Sequence, residues 1–344
     1  MRGRGPLFGR VGALTAFTLG VLVSGCGGTK DSITPTVASH ELTAQEIDGN
    51  PLALLPGGLV GFARIEAQPT FATAFGPSLA NLARQLAPLP PSSGFVPERD
   101  LERVFLGVYS MTGADLAGVA IGRFDENQIR LAAQTPTSPG QAPAAGTLVQ
   151  SLYAGKTVYT VSNLGFCLLT ARTALFGNET GIRRALDRIR EGRATYRLPA
   201  WTQDLLDEKQ APLGFGVDLR ATALSDSVRT QVPFVEGMDA ARVRGNYAAP
   251  GLNLVGSLGY PTPEAATVGA QRVNQTRDLL SQAGFLMSLF GVAQPLERLE
   301  AKTNGTEVDF VASANGATLG RLITQMTPTI VAATKSGILR NPAR

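Results

Sequence analysis

Residues 101–124 read LERVFLGVYSMTGADLAGVAIGRF and carry the clearest secondary-structure pattern of the chain. Apolar and β-branched residues recur through Leu101–Tyr109 and again through Leu116–Phe124, a pattern typical of two strands. The Thr112-Gly113 pair between them predicts a hairpin turn. The stretch therefore indicates antiparallel β structure.

The second half of the chain repeats this pattern. Leu213–Asp218 (LGFGVD) echoes the strand that opens the first half at Gly61-Phe62, and a strand pair follows at Ala241–Ala248 and Leu252–Tyr260. A further hairpin is predicted over Leu296–Val311, because its Asn304-Gly305 pair is a strong turn signal.

Helical periodicity follows the strand pairs in both halves. The spacing of apolar residues predicts helices over Pro77–Ala87, Asp125–Ala133, Thr180–Arg193 and Asn315–Met326, and Pro263–Phe290 is also apolar and periodic. Asn315 is expected to cap the last of these helices.

The order of elements predicts an α+β protein with antiparallel sheets and helices packed on one face. It fits two tandem modules, at 51–195 and 211–330, followed by a C-terminal tail at 331–344. A doubly wound parallel sheet is the alternative, but hairpin turns outnumber plausible crossovers. This order is similar to that of uncharacterised exported bacterial proteins, a resemblance that implies no activity.

The first 25 residues have the composition of a removable leader. Three arginines within the first ten residues precede the apolar run Val11–Val23. As a helix this run spans roughly 20 Å, which is short of the ~30 Å hydrocarbon core of a membrane. We therefore expect a cleaved signal peptide rather than a permanent transmembrane helix.

The residues Val23-Ser24-Gly25-Cys26 resemble the lipobox of bacterial lipoproteins, with Val23 where that family prefers leucine. The resemblance implies that cleavage follows Gly25 and that Cys26 becomes the lipidated N-terminus, so that the membrane is a partner through the lipid. Gly27 in place of aspartate implies export onward to the outer membrane. The alternative is a conventional signal peptide with an incidental cysteine.

Residues 26–50 are rich in small and polar residues and predict a flexible tether between the lipid and the folded part. The single histidine, His40, falls in this tether. A histidine general base in the folded part is therefore not expected.

Composition excludes several classes of protein. With 44% hydrophobic and 17% charged residues, the 344-residue chain is globular. Two cysteines and one histidine cannot build a disulfide scaffold or the usual zinc sites, and we expect neither a metal nor a cofactor. Without the three leader arginines, 28 basic residues face 27 acidic ones, so nucleic acid is not an expected partner.

No motif for nucleotide or nucleophilic chemistry is complete. Gly155-Lys156-Thr157 lacks the earlier glycine of a phosphate-binding loop, since Gln150 stands there, and a hairpin turn explains it better. Cys167 lies in an apolar strand and is interpreted as a buried small residue rather than a nucleophile. We expect no catalytic residue and treat the chain as non-enzymatic.

The predicted helix at 180–193 carries most of the clustered positive charge. Arg183, Arg184 and Arg188 on this helix form a candidate anion-binding face, since guanidinium groups grip phosphate and carboxylate. Asp187 and Glu191 are interleaved with them, so a solvated helix face is the alternative.

Three functions remain open. The first is a lipid-anchored envelope protein that binds or scaffolds a protein or an envelope polymer. The second is a carrier of an apolar ligand, with residues 279–290 (LLSQAGFLMSLF) lining its cavity. The third is a hydrolase of envelope glycans that uses carboxylates among Asp204, Glu208 and Asp218.

Overall fold

A single antiparallel sheet of twelve strands forms the frame of the protein in the computed structural model. The structure describes residues 40–86, 89, 91–111, 115–133, 148–161, 164–193, 198–206, 211–220, 222, 224, 229, 232–288 and 294–335. The strands run across the sheet in the order β11-β12-β10-β9-β8-β1-β2-β3-β7-β6-β5-β4. The predicted α+β class with antiparallel strands is confirmed.

The strands differ in burial, since β4 is mostly exposed and β7 is mostly buried. They are β1 Gly61–Glu66, β2 Leu101–Ser110, β3 Asp115–Gly122, β4 Val149–Tyr153, β5 Lys156–Val161, β6 Leu164–Leu168, β7 Thr173–Asn178, β8 Leu213–Asp218, β9 Ala240–Asn246, β10 Gly251–Gly259, β11 Leu296–Asn304 and β12 Glu307–Asn315.

Helices follow most of the predicted positions. They are α1 Ala44–Gly49, α2 Ala67–Phe71, α3 Gly76–Leu86, α4 Pro97–Asp100, α5 Glu126–Ala133, α6 Glu179–Arg190, α7 Gln203–Leu206, α8 Pro263–Ser288 and α9 Gly316–Lys335. Short 3₁₀ turns lie at Pro51–Leu54, Pro91–Ser93, Ala200–Thr202 and Pro233–Val235. The Oδ1 atom of Asn315 accepts a hydrogen bond from the Thr318 N–H at 3.1 Å, as expected of a helix cap.

The two halves of the chain have matching topologies. β1-β2-β3-β7-β6 on one side of the sheet corresponds to β8-β9-β10-β12-β11 on the other, and β1 pairs with β8 in the middle. The hairpin β4–β5 is an addition to the first half. The repeated order fits a duplication, although both halves contribute to one continuous sheet.

The sequence echo between the two opening strands does not match their geometry. In the antiparallel register, Phe62 is the partner of Gly216, and Ala63 is the partner of Phe215. Because neighbouring residues of a strand point to opposite faces, the two phenylalanines lie on opposite faces of the sheet. Phe62 is 1% exposed and Phe215 is 41% exposed.

We call the face that carries Phe62 and Val119 the front face. In the first half it is covered by α6, whose Ile182, Leu186 and Ile189 are fully buried in the same core cluster. The opposite face, the back face, is covered in that half by α3 and α5. The helices therefore lie on both faces there, and the expectation of one covered face is wrong.

In the second half only the back face carries a long helix among the described residues. Ala266 and Ala270 of α8 pack with Leu258 and Val308 from the back face. The front face of this half presents polar strand residues. Among them, Ser257 of β10 is paired with Arg242 of β9 on one side and with Asp309 of β12 on the other.

The start of the folded part differs from the predicted tether. Residues 44–49 form α1, in which Thr43 and Glu46 make a complete capping box. Leu42 precedes the cap, and Ile47 is the fourth residue of the helix; both are buried, as in a hydrophobic staple. The predicted tail also begins inside α9, since that helix continues to Lys335.

Candidate functional site

An apolar cavity lies between the back face of the first half and the helix α3. Its floor includes Ala120 of β3 and Ala174 of β7, which are direct partners across the two strands. Since each of these side chains is only a methyl group, it projects less far from the sheet than the phenylalanines around it. This leaves space between the sheet and α3. The cavity is partly open to solvent and has a volume of about 360 Å³.

Larger aromatic side chains form walls of the cavity. Phe124 and Phe166 are nearly buried beside it, and the Phe95 and Phe124 rings stack with centroids 5.9 Å apart. Tyr159 stacks on Phe166 at 4.8 Å and supports that wall from the next strand.

Phe176 covers a glycine at one side of the cavity. A Cβ on Gly118 would lie 2.1 Å from Cζ of Phe176, so the ring rests directly on the strand backbone. Phe176 is also one of the residues that line the cavity. The glycine therefore sets how deeply the ring sits.

The roof comes from α3 and the segment that follows it. Ala83 and Leu86 of α3 and the nearby Leu89 line the cavity from above. All the described residues of the lining are apolar or glycine, so the cavity offers no counter-charge to an ionised group. It suits a hydrocarbon chain rather than a polar metabolite.

The segment 279–290, predicted to line an apolar cavity, does not line this one at its described side chains. Leu279 and Leu280 are 66% and 44% exposed on α8, and neither lines the cavity described above. The side chains at 283–290 lie outside the described residues. The signal that could have located the cavity is the set of small residues, including Gly118 and Ala120, on one side of strands that otherwise carry large apolar residues.

The arginines predicted as an anion-binding face are engaged within the chain. Arg183 pairs with Glu179 at 2.5 Å and lies over the ring of Tyr153. Arg184 pairs with Asp115 of β3 at 2.6 Å.

Arg188 reaches inward from the same helix. Its guanidinium donates to the carbonyl of Ala53 at 3.1 Å, and burial lowers its pKa below the ordinary value. Together these contacts fasten α6 to the sheet and to the start of the fold. The three side chains do not converge on one open site.

The Arg184 guanidinium also covers an aromatic ring. It lies 4.5 Å from the ring centre of Tyr109, and burial raises the pKa of the Tyr109 hydroxyl. The ring therefore stays neutral and packs as an apolar body between α6 and the sheet.

Cys167 is a core residue on the front face of β6. It is fully buried, and burial raises the pKa of its thiol to about 12. The thiolate needed for nucleophilic attack is therefore not formed at neutral pH.

The residues at 153–157 form a hairpin turn. Tyr153 pairs with Lys156, and the intervening Ala154 and Gly155 have φ of 49° and 73°. Two positive φ values are the signature of a type I′ turn. The turn explains Gly155-Lys156-Thr157 without a bound phosphate.

The described carboxylates proposed for hydrolysis lie on different elements, Asp204 on α7 and Asp218 at the end of β8. Asp218 is bound by the Arg220 guanidinium, and this hydrogen bond holds the pKa of the carboxyl below its ordinary value. Asp204 is exposed on α7, and Glu208 lies outside the described residues. A carboxyl that acts as a general acid needs a raised pKa, the opposite of the shift at Asp218.

Gly25 and Cys26, the predicted cleavage and lipidation positions, also lie outside the described residues. In the part of the chain that is described, no helix combines the length and apolar character needed to cross a bilayer.

Comparison with known proteins yields only distant likenesses in structure. No family model matches the chain, and no curated protein matches it. Crystal form I of TP0453 is similar with a TM-score of 0.46 and 7% identity, over 80% of this chain and 97% of that chain. Crystal form III of TP0453 gives 0.48 and 9% over the same shares. We draw no functional conclusion from likenesses at this level.

Proposed function

We propose that this protein is a lipid-anchored protein of the bacterial envelope that holds one apolar chain, such as the acyl chain of a lipid, in the cavity beneath α3. The observation that carries the binding role is the cavity itself. Its volume of about 360 Å³ falls within the range of small-molecule sites, roughly 300–1,000 Å³.

The chemistry of the lining selects the ligand class. Each methylene group that leaves water for such a lining contributes about 0.8 kcal/mol, so a chain of several carbons gains enough to offset the loss of its freedom. A charged headgroup gains nothing inside, because the described lining is apolar throughout. The acyl chain therefore enters and its headgroup stays at the opening.

The anchor rests on the lipobox resemblance at Val23–Cys26. Lipidation of Cys26 would hold the folded part at a membrane, where acyl chains are available. Gly27 favours the outer membrane as the final location. One acyl chain binds a membrane only marginally, whereas several make attachment stable.

A photoactivatable fatty acid tests the binding role in cells that express the full chain. A diazirine-labelled palmitate is supplied, the cells are irradiated, and the labelled peptides of the purified protein are mapped. We expect light-dependent adducts on peptides from α3, β3 or β7, distinct from label on the Cys26 peptide. Ala174→Leu should abolish the adducts, because the larger side chain fills the cavity floor.

Ala171→Leu is the matched control. It adds the same side-chain volume as Ala174→Leu, but at an exposed position three residues away. The binding role is rejected if the adducts persist in Ala174→Leu or never map to the cavity. Ala120→Leu fills the same floor from the other strand and guards against misfolding of one variant.

A separate labelling experiment tests the anchor. Radioactive palmitate should label the wild type and Cys167→Ala but not Cys26→Ala, and only the labelled proteins should partition with detergent. Equal labelling of Cys26→Ala would remove the anchor and leave the cavity proposal standing.

A further inference from the structure

The two outer strands of the sheet are protected very differently. β11 carries charged, exposed side chains at Glu297, Arg298, Glu300 and Lys302, and a register shift interrupts its pairing near Arg298. Charges and bulges of this kind are how sheets block pairing with another chain. This edge is closed to a further strand.

β4 at the opposite edge has neither charged side chains nor a register shift in its pairing with β5. Its sequence, VQSLY, contains no charge and no proline, and in the described part of the chain it pairs only with β5. Leu152 on this strand is 77% exposed. An uncharged edge strand with an exposed leucine is suited to accept another strand.

The backbone of β4 is oriented for such pairing. Tyr153 and Lys156 flank a two-residue turn, so they form the hydrogen-bonded pair of the hairpin. Hydrogen bonding alternates along the strand, and therefore Gln150 and Leu152 direct their N–H and C=O groups toward the open edge.

A second exposed leucine lies on α5, the helix that is hydrogen-bonded to this edge on the back face. Leu152 is paired with Thr157 and so points to the same face as Tyr159, where α5 lies. Leu131 of α5 is 65% exposed, and the Gln150 side chain donates to the α5 carbonyl of Ala133 at 3.0 Å. The strand and the helix are therefore joined on the back face, and each carries an exposed leucine.

We infer that β4 pairs antiparallel with β4 of a second copy of this chain, which extends the sheet across a two-fold axis at Ser151. A second copy fits because the strand is uncharged, so that self-pairing opposes no like charges. In this register Gln150 faces Leu152 of the other copy. The two-fold axis is perpendicular to the sheet, so the Leu152 side chains of both copies lie on the same face.

The contact is small, since five residues extend only about 17 Å. Stable complexes bury roughly 1,200–2,000 Å², so the pair is weak in dilute solution. Two copies held in one membrane by the proposed lipid anchor have a much higher local concentration. The pairing in the membrane rests on that part of the proposed function.

Cysteine crosslinking of the full chain in intact membranes tests the inference. In the proposed register the two Ser151 residues are a non-hydrogen-bonded pair with Cα atoms about 4.5 Å apart, which suits a disulfide. Mild oxidation should give a disulfide-linked dimer with Ser151→Cys. Thr303→Cys, at an exposed position on the other edge strand, should remain monomeric.

A second substitution separates strand pairing from chance collision. Leu152→Lys in the Ser151→Cys chain should abolish the dimer, because two lysines then crowd the paired edge. Leu279→Lys, at a similarly exposed leucine on α8, should leave it unchanged. The inference is overturned if Ser151→Cys gives no dimer while palmitate labelling is retained, or if Thr303→Cys crosslinks equally.

Discussion

Gly181 at the start of α6 lies directly against Leu116 of β3. A Cβ at Gly181 would stand 2.2 Å from the carbonyl oxygen of Leu116. The Asn178 side chain joins the same two residues, since its Oδ1 accepts from the Leu116 N–H at 3.1 Å and from the Gly181 N–H at 3.2 Å. One side chain thus caps the helix and fixes it to the sheet.

Gly181→Ala is expected to destabilise the protein. Alanine improves helix propensity by about 1 kcal/mol, but a methyl group forced against a fixed backbone carbonyl costs about 1–3 kcal/mol. The cost of the clash should exceed the gain in helix propensity, so the midpoint of urea unfolding should fall. Gly57→Ala is the control, because nothing lies within 4 Å of the added Cβ. Equal midpoints for Gly181→Ala and the wild type would contradict this packing.

Much of the fold was predictable because local signals and tertiary packing agree. The apolar alternation over 101–124 and the periodicity over 180–193 correspond to β2, β3 and α6. The polar composition of residues 26–50 predicts a tether, although the structure forms a capping box at Thr43 and Glu46. Only the contacts of Leu42 and Ile47 with distant residues reveal that this segment folds.

The cavity could not be predicted in the same way. Ala120 and Ala174 are far apart in sequence, and their importance comes from pairing across two strands and from the distance to α3. Periodicity identifies which side of a strand is apolar, but it does not show where helices leave space above it. The same limit explains why helices were expected on one face only.

The Cys167 thiol is expected to be unreactive in the folded protein. Its pKa of about 12, raised by burial, leaves almost no thiolate at pH 8, and the surrounding core excludes reagents. Iodoacetamide should modify it only after denaturation, as followed by mass spectrometry of the Cys167 peptide. Modification of the native protein at the denatured rate would show that the core opens around β6.

Glu46 should make stability depend on pH in an acidic window. The backbone hydrogen bond from Thr43, together with the Thr43 hydroxyl, lowers its pKa from 4.5 to about 2. A lowered pKa in the folded state stabilises the fold above pH 4.5, and this contribution is lost as the pH falls toward 2. The thermal unfolding midpoint is the measurement.

Glu46→Gln should therefore melt below the wild type at pH 7, and the difference should vanish near pH 2. Glu307→Gln makes the same change on an exposed carboxylate of β12 and serves as the control. A difference between Glu46→Gln and the wild type that stays constant across pH would assign the effect to packing instead of charge.

Ala154→Asn is expected to stabilise the β4–β5 hairpin. Ala154 has φ of 49°, a conformation that costs an alanine about 1–2 kcal/mol, whereas asparagine followed by glycine is favoured in type I′ turns. The free energy of unfolding should rise by about 1 kcal/mol, measured by urea titration. Gly155→Ala should lower the free energy of unfolding, because a residue with a Cβ adopts the φ of 73° at this position only at a cost in energy. If both substitutions destabilise to the same extent, the contacts of the turn rather than its backbone conformation determine the stability of this edge.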